Sequence, residues 1–143
     1  MKKLFYLLSI SFLAVSMLNC SNPAEKKNAE TQTAEITQTA KVTVYYFHGK
    51  QRCKTCLAIQ KVTEQAIQDQ YPGNDDVKFV ELDYSDSANA AIAEKYEVAS
   101  SSLLVTSPSD FTNLTDDAFA NALRDPEKLK EKLVAEINNY LEK

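Results

Sequence analysis

A strand-like run of residues leads through a short loop into a helical pattern, and two cysteines stand at this junction. The run VTVYYF, residues 42–47, is β-branched and aromatic, which is typical of a buried strand. Apolar residues then recur at helical spacing over residues 54–71. A strand followed directly by a helix puts their loop at the C-terminal edge of a sheet, where ligand and catalytic groups concentrate in α/β folds. Cys53 and Cys56 therefore occupy a position suited to chemistry.

The chain beyond residue 71 alternates strand and helix patterns. Pro72 and Gly73 end the first helix, and Asp125 can cap a last helix that begins at Pro126. This order predicts the α/β class, with a sheet flanked by helices. The other predicted elements are a strand at 77–83, a helix at 87–96, a strand at 103–106, an edge strand near 112–114 and a helical turn before 124. The last helix carries one apolar face, formed by Leu129, Leu133, Ile137 and Leu141.

The N-terminal residues read as a targeting segment. Met1-Lys2-Lys3 is basic, and residues 4–18 form an apolar run of about 15 residues. As a helix this run would cover about 22 Å, which is less than the ~30 Å hydrocarbon core of a membrane. A secretory signal peptide over residues 1–19 is therefore favoured over an uncleaved anchor.

Cys20 lies where bacterial lipoprotein signals place the cysteine that becomes acylated. The segment Met17-Leu18-Asn19-Cys20 resembles an imperfect lipobox, because most lipoproteins carry smaller residues than Leu18 and Asn19 there. The alternative is a soluble secreted protein in which Cys20 is incidental. Diacylation at a cleaved cysteine would anchor the chain stably. We predict a lipid-anchored protein of the bacterial cell envelope.

Residues 21–40 are polar and precede the domain. Ile36 is their one sizeable apolar side chain, so they cannot bury enough surface to offset the entropy of ordering. We predict a disordered tether over residues 20–40 and one domain over residues 41–143. The domain has 12 basic and 17 acidic residues, a formal net charge of −5, which argues against nucleic acid as a partner.

Positive charge is concentrated around the cysteine pair. Between residues 41 and 63 there is no acidic residue. The basic residues of this window are Lys41, Lys50, Arg52, Lys54 and Lys61.

Three roles are open to the pair: a structural disulfide, part of a metal site, or a redox dithiol. A disulfide across two residues closes so small a loop that it stabilises the fold little. Structural zinc takes four protein ligands, and the single histidine, His48, leaves a Cys-Cys-His set one ligand short unless a dimer supplies more. A redox dithiol needs nothing further, so we favour it, with no metal and no cofactor beyond the Cys53–Cys56 disulfide.

The two cysteines differ in their expected roles. Cys53 would stand near the helix N-cap, where free N–H groups and the helix dipole favour an anion. Lys50, Arg52 and Lys54 add positive charge, and both effects favour the reactive thiolate. We predict that Cys53 is the attacking thiol and that Cys56, facing inward, is the resolving thiol. His48 is expected to bond to backbone or to tune the thiol through its charge.

These residues resemble the thioredoxin-like superfamily in element order over most of residues 42–143. The similarity rests on the strand VTVYYF, on CKTC opening a helix, and on YEV leading into the strand LLV. More narrowly, YYFHGKQRCKTC and DDAFANALRDPE resemble exported bacterial ArsF-type nitrophenyl-compound nitroreductase subunits. The superfamily implies disulfide exchange with a redox partner protein, and the narrower family implies a role in the reduction of nitroaromatic compounds.

The sequence departs from thioredoxins at two places. Ser102 falls at the expected place of their cis-proline, and we expect a trans peptide because a cis bond before a non-proline residue costs about 2.5–4 kcal/mol. The first strand also lacks their buried acid. These departures keep a second hypothesis open: a non-catalytic accessory or metal-binding subunit of an envelope reductase system. The first hypothesis remains a tethered thiol–disulfide oxidoreductase or electron-transfer protein.

Overall fold

A computed structural model describes residues 40–143, which form four strands and four helices. The predicted signal peptide, Cys20 and nearly all of the predicted tether lie outside the described residues. Within the described residues, no helix is both long enough and apolar enough to cross a membrane. The strands are β1 (Val42–His48), β2 (Val77–Asp83), β3 (Ser102–Thr106) and β4 (Phe111–Asn113). The helices are α1 (Lys54–Gln70), α2 (Ala90–Lys95), α3 (Thr115–Asn121) and α4 (Pro126–Leu141).

The strands form one mixed sheet in the order β2-β1-β3-β4. β1 and β2 run parallel, with Tyr46 opposite Glu81, whereas β3 is antiparallel to both of its neighbours. Phe47 pairs with Ser102, so β3 begins at the end of the sheet where β1 runs out toward α1. This end of the sheet therefore carries the cysteine loop.

The two faces of the sheet bury different sets of residues because side chains alternate along each strand. On one face, Val44 and Tyr46 pack with α1, α3 and α4. On the other, Tyr45 and Phe47 pack with the region of α2 around Ala93. β1 is thus buried on both sides, as its continuous apolar sequence predicts.

The ends of the helices follow local signals. α1 ends before Pro72, and Gly73 adopts a positive φ of 69°. The Asp125 carboxylate caps α4 by accepting a hydrogen bond from the Lys128 backbone N–H. Asp125 and Pro126 stand where the sequence predicts.

Three elements differ from the sequence-based expectation. The predicted helix at 87–96 is a 3₁₀ turn at Ser87–Asn89 followed by the short helix α2. The expected helical turn before residue 124 is a full helix, α3, and the edge strand lies one residue earlier than predicted. On α4, the predicted Leu129, Leu133 and Ile137 are buried together with Tyr140, and Leu141 is partly buried and packs against the same core.

Candidate functional site

Cys53 and Cys56 form a disulfide at the N-terminus of α1, with their Cα atoms 5.0 Å apart. Cys53 is the N-cap residue, and its sulfur lies 3.1 Å from the Cys56 backbone N–H, which donates to it. Cys53 is exposed, whereas Cys56 is 6% exposed and faces the core. Cys53 is therefore an exposed residue at a helix N-terminus, and its partner one turn away is buried. Their roles as attacking and resolving thiol stay predictions.

Tyr46 anchors the first turn of α1 to the sheet. Its side chain is fully buried, and its hydroxyl donates a 2.8 Å hydrogen bond to the Cys56 carbonyl oxygen. Burial raises the pKa of the Tyr46 hydroxyl, while the Arg52 guanidinium 5.7 Å from the ring centroid opposes that shift. Cys56 is therefore held by a tyrosine that stays neutral at ordinary pH.

Four polar side chains meet beneath the dithiol loop and form what we call the Glu81 cluster: His48, Arg52, Gln60 and Glu81. Arg52 donates to Glu81 Oε1 at 2.7 Å and to Gln60 Oε1 at 2.6 Å. Gln60 donates to Glu81 Oε2 at 2.5 Å, and His48 Nε2 lies 3.0 Å from Glu81 Oε1. Glu81 thus links the end of β1, the dithiol loop and α1 to β2.

The cluster places a carboxylate against Arg52, the residue before Cys53, although β1 has none. Glu81 lies on β2 directly opposite Tyr46, so it faces the same side of the sheet as that tyrosine. Residues 77, 79 and 81 point to the same side of β2, and Val77 and Phe79 pack in the core. This spacing is the sequence signal that could have predicted that Glu81 faces the core side. A carboxylate on the core side of a strand destabilises the fold unless it is paired with an opposite charge. Here Arg52 provides that charge.

The basic residues near Cys53 are not equivalent. Arg52 is bound to Glu81, so its charge is largely compensated, and its side chain is 22% exposed. Lys50 and Lys54 are exposed and form no ion pair among the residues that the structure describes. Lys50 does act on Asp83: hydrogen bonds from Ser85 lower the pKa of the Asp83 carboxyl, and His48 and Lys50 lower it further. Positive charge at the surface around Cys53 therefore comes from lysines.

Gly49 makes room for a neighbouring ring. A Cβ built on Gly49 would lie 3.0 Å from the Tyr84 hydroxyl oxygen and 3.3 Å from its Cζ. The Tyr84 backbone N–H also donates to the His48 carbonyl, which holds the two segments together. Close approach, rather than a positive φ, accounts for this glycine.

Ser102 begins β3, opposite Phe47, at the same end of the sheet as the dithiol loop. It is 8% exposed, and its hydroxyl donates a 3.0 Å hydrogen bond to the Ser100 carbonyl oxygen. The Ser102 hydroxyl therefore bonds to the loop just before β3, and within residues 40–143 no hydrogen bond joins it to Cys53 or Cys56.

Metal binding at the dithiol would need a rearrangement of His48. Among residues 40–143, no group of three or more His, Cys, Asp and Glu side chains is placed to hold a metal ion. Both ring nitrogens of His48 are engaged, Nε2 with Glu81 and Nδ1 with the Gly49 carbonyl at 3.0 Å. A cavity of about 510 Å³, between Lys41 and Tyr140, lies at the opposite end of the sheet and contains no cysteine.

Comparison with known proteins gives a fold but no family. No protein-family model matches the chain. No curated protein matches it either. Several solved structures are similar to it at low sequence identity.

A structure of human ERp44 in a zinc-bound form is 18% identical, with a TM-score of 0.51, over 75% of this chain and 28% of that one. Mitochondrial thioredoxin 3 of Saccharomyces cerevisiae, in its oxidised form, is 22% identical with a TM-score of 0.46, over 68% and 80%. A malarial protein is 20% identical with a TM-score of 0.45, over 64% and 96%. ERp44 is thioredoxin-like, and the sheet flanked by helices is consistent with that fold.

Proposed function

We propose that this protein is a thiol–disulfide oxidoreductase that works through Cys53 and Cys56. The observation that carries the proposal is the disulfide at the start of α1, in which Cys53 is an exposed residue and Cys56 a buried one. A thioredoxin-like fold supports it. The helix N-terminus favours the Cys53 thiolate, which is the species that attacks disulfides.

The exchange has two steps. In the reduced protein the Cys53 thiolate attacks one sulfur of a partner disulfide, a new S–S bond forms, and the partner's second sulfur leaves as a thiolate. Cys56, deprotonated, then attacks the Cys53 sulfur and releases the partner's first sulfur. Two electrons pass from the protein to the partner, which takes up two protons as it becomes a dithiol. The reverse sequence oxidises a partner dithiol.

The setting proposed for this exchange is the bacterial cell envelope. The lipobox-like segment at Cys20 supports a lipid anchor, and the polar residues 21–40 support a tether between membrane and domain. The resemblance of YYFHGKQRCKTC and DDAFANALRDPE to nitroreductase subunits supports electron supply to nitroaromatic reduction as the narrower role. The partner is then a redox protein of the envelope.

Single cysteine variants test the proposal. Cys56→Ser should accumulate a mixed disulfide through Cys53 when the reduced protein meets a partner disulfide, and Cys53→Ser should not. In the reduced wild type, Cys53 should alkylate faster than Cys56 near neutral pH, because it is exposed and at the helix N-terminus.

The same samples test the accessory-subunit alternative. The oxidoreductase proposal would be contradicted if a Cys53→Ser/Cys56→Ser double variant kept the protein's full contribution to an envelope reductase system. Metal bound by protein purified without chelator, and lost from the double variant, would point instead to a metal-holding role. Wild-type protein incubated with metal chelator serves as the control.

A further inference from the structure

Lysines near the dithiol lie outside the domain's ion pairs. Within residues 40–143, Lys41, Lys130 and Lys132 each pair with an aspartate. Lys54 and Lys61 form no ion pair in this part of the chain and are exposed. They are therefore free to act on a partner.

Lys54, Leu57 and Lys61 form an exposed stripe on α1 that starts beside Cys53. Their spacing of three and four residues places them on one side of the helix. Leu57 is 50% exposed, one of the few large apolar side chains at the surface of the described domain. Gln65 and Gln68 continue the stripe, and Glu64, three residues after Lys61, lies at its edge. The stripe is thus basic with an apolar centre.

The charge of Lys54 does not stabilise α1. It is the first residue of α1, where the helix dipole disfavours a cation, and the first turn has no acid to compensate it. A lysine there adds positive charge next to an exposed sulfur instead.

The positive charge of the stripe is confined to a small area, because acidic residues lie near it. Glu81 compensates Arg52, Asp83 faces Lys50, and Glu64 lies beside the stripe, where it accepts a hydrogen bond from Gln60. The domain as a whole carries a formal charge of −5 and would repel an acidic protein elsewhere on its surface. An acidic partner is therefore directed to the dithiol end of the molecule.

We propose that the Lys54–Leu57–Lys61 stripe is a docking surface for an acidic protein segment that carries the disulfide exchanged with Cys53. Acidic side chains of the segment face the two lysines, and one apolar side chain packs on Leu57. The inference rests on the proposed function, since it names the class of partner for the same dithiol. Its charge and apolar components can be tested separately.

The charge component is tested with small disulfides of different charge. Reduced wild-type protein should reduce oxidised glutathione, which is anionic, about tenfold faster than the cation cystamine at low salt. The neutral hydroxyethyl disulfide should fall between them, and the difference should shrink at high salt as the charges are screened. Equal rates for the three disulfides would overturn the docking proposal. Failure to reduce even the neutral disulfide would overturn the proposed function instead.

Lysine variants test whether the stripe causes the preference for anionic disulfides. Lys54→Gln/Lys61→Gln should lower the ratio of the glutathione rate to the neutral rate at least threefold, and taking the ratio removes any change in Cys53 reactivity. Lys128→Gln removes an exposed lysine on α4 that forms no ion pair among the described residues, and should leave the ratio unchanged. A ratio that stays at the wild-type value in the double variant contradicts the proposal.

Leu57 is tested with a peptide substrate. A Glu-flanked peptide disulfide that contains a leucine should show a KM several-fold higher with Leu57→Ser than with wild type. The rate with hydroxyethyl disulfide should not change, which shows that the dithiol is intact. An unchanged KM, or an equal loss with both substrates, would show that Leu57 does not contact the partner.

Discussion

At the scale of single residues, the dithiol loop is shaped by close contacts that its sequence only partly reveals. Gly49 stands where Tyr84 approaches within 3.0 Å of a built Cβ. The glycine is visible in the sequence, but its neighbour is 35 positions away and becomes adjacent only through the pairing of β1 with β2. The sequence could therefore predict that position 49 favours glycine, but not that the Tyr84 ring is the reason.

Gly49→Ala should destabilise the domain by about 1 kcal/mol, the lower end of the cost of overpacking, because the Tyr84 ring must shift. The measurement is the free energy of unfolding in urea. Tyr84→Phe removes the nearest atom, the hydroxyl oxygen, so Gly49→Ala should cost less in that background than in the wild type. An equal cost in both backgrounds would show that the strain lies in the backbone of the loop.

At the scale of elements, the strand–loop–helix unit could be predicted, but the cluster beneath it could not. VTVYYF, the helical period and the cap at Asp125 are local signals, and each appears as predicted. Arg52 and Glu81 are 29 residues apart, and their contact depends on the parallel register that sets Glu81 opposite Tyr46. The first strand has no acid, and the acid that faces this core lies on the adjacent strand, β2.

The geometry of Arg52 predicts that lysine cannot replace it. Its two terminal nitrogens reach Glu81 and Gln60 at the same time, which a single ammonium group on a flexible chain does poorly. Arg52→Lys should lower the free energy of unfolding by about 1–2 kcal/mol, since a partly buried carboxylate loses hydrogen bonds to a charged donor.

Lys41→Gln is the matched control for this variant. It breaks the ion pair between Lys41 and Asp76, whose side chains are 63% and 43% exposed. Exposed pairs contribute about 0–1 kcal/mol, so its cost should be smaller and should fall with added salt. If both variants cost the same, the Glu81 cluster contributes no more than a surface pair.

At the scale of the whole molecule, β1 contributes to two cores, one on each face of the sheet. Val44 and Tyr46 belong to the core beneath α1 and α4, and Tyr45 and Phe47 to the core beneath α2. Composition predicts that β1 is buried, but assigning alternate side chains to the two cores requires the sheet order. The stability of the whole domain is therefore linked to groups buried on this strand, including one that titrates.

Tyr46 should make the stability of the domain fall at alkaline pH. Burial raises its pKa in the folded state above the ordinary 10.0, so the unfolded chain loses this proton first. Its contribution is present in full below about pH 10 and is lost as the pH rises through the folded pKa. Tyr46→Phe should cost about 1 kcal/mol at pH 7, because the hydrogen bond to the Cys56 carbonyl is lost.

The pH dependence of the difference between wild type and Tyr46→Phe separates these two effects. Urea unfolding of both oxidised proteins, from about pH 7 to about pH 10.5, should show a constant difference up to about pH 9 and a shrinking one above it. Lysine titration is common to the two proteins and cancels. A difference that stays constant to the highest pH would mean that Tyr46 ionises equally in the folded and unfolded chains, and that its hydroxyl is more accessible to water than its position between β1 and α1 implies.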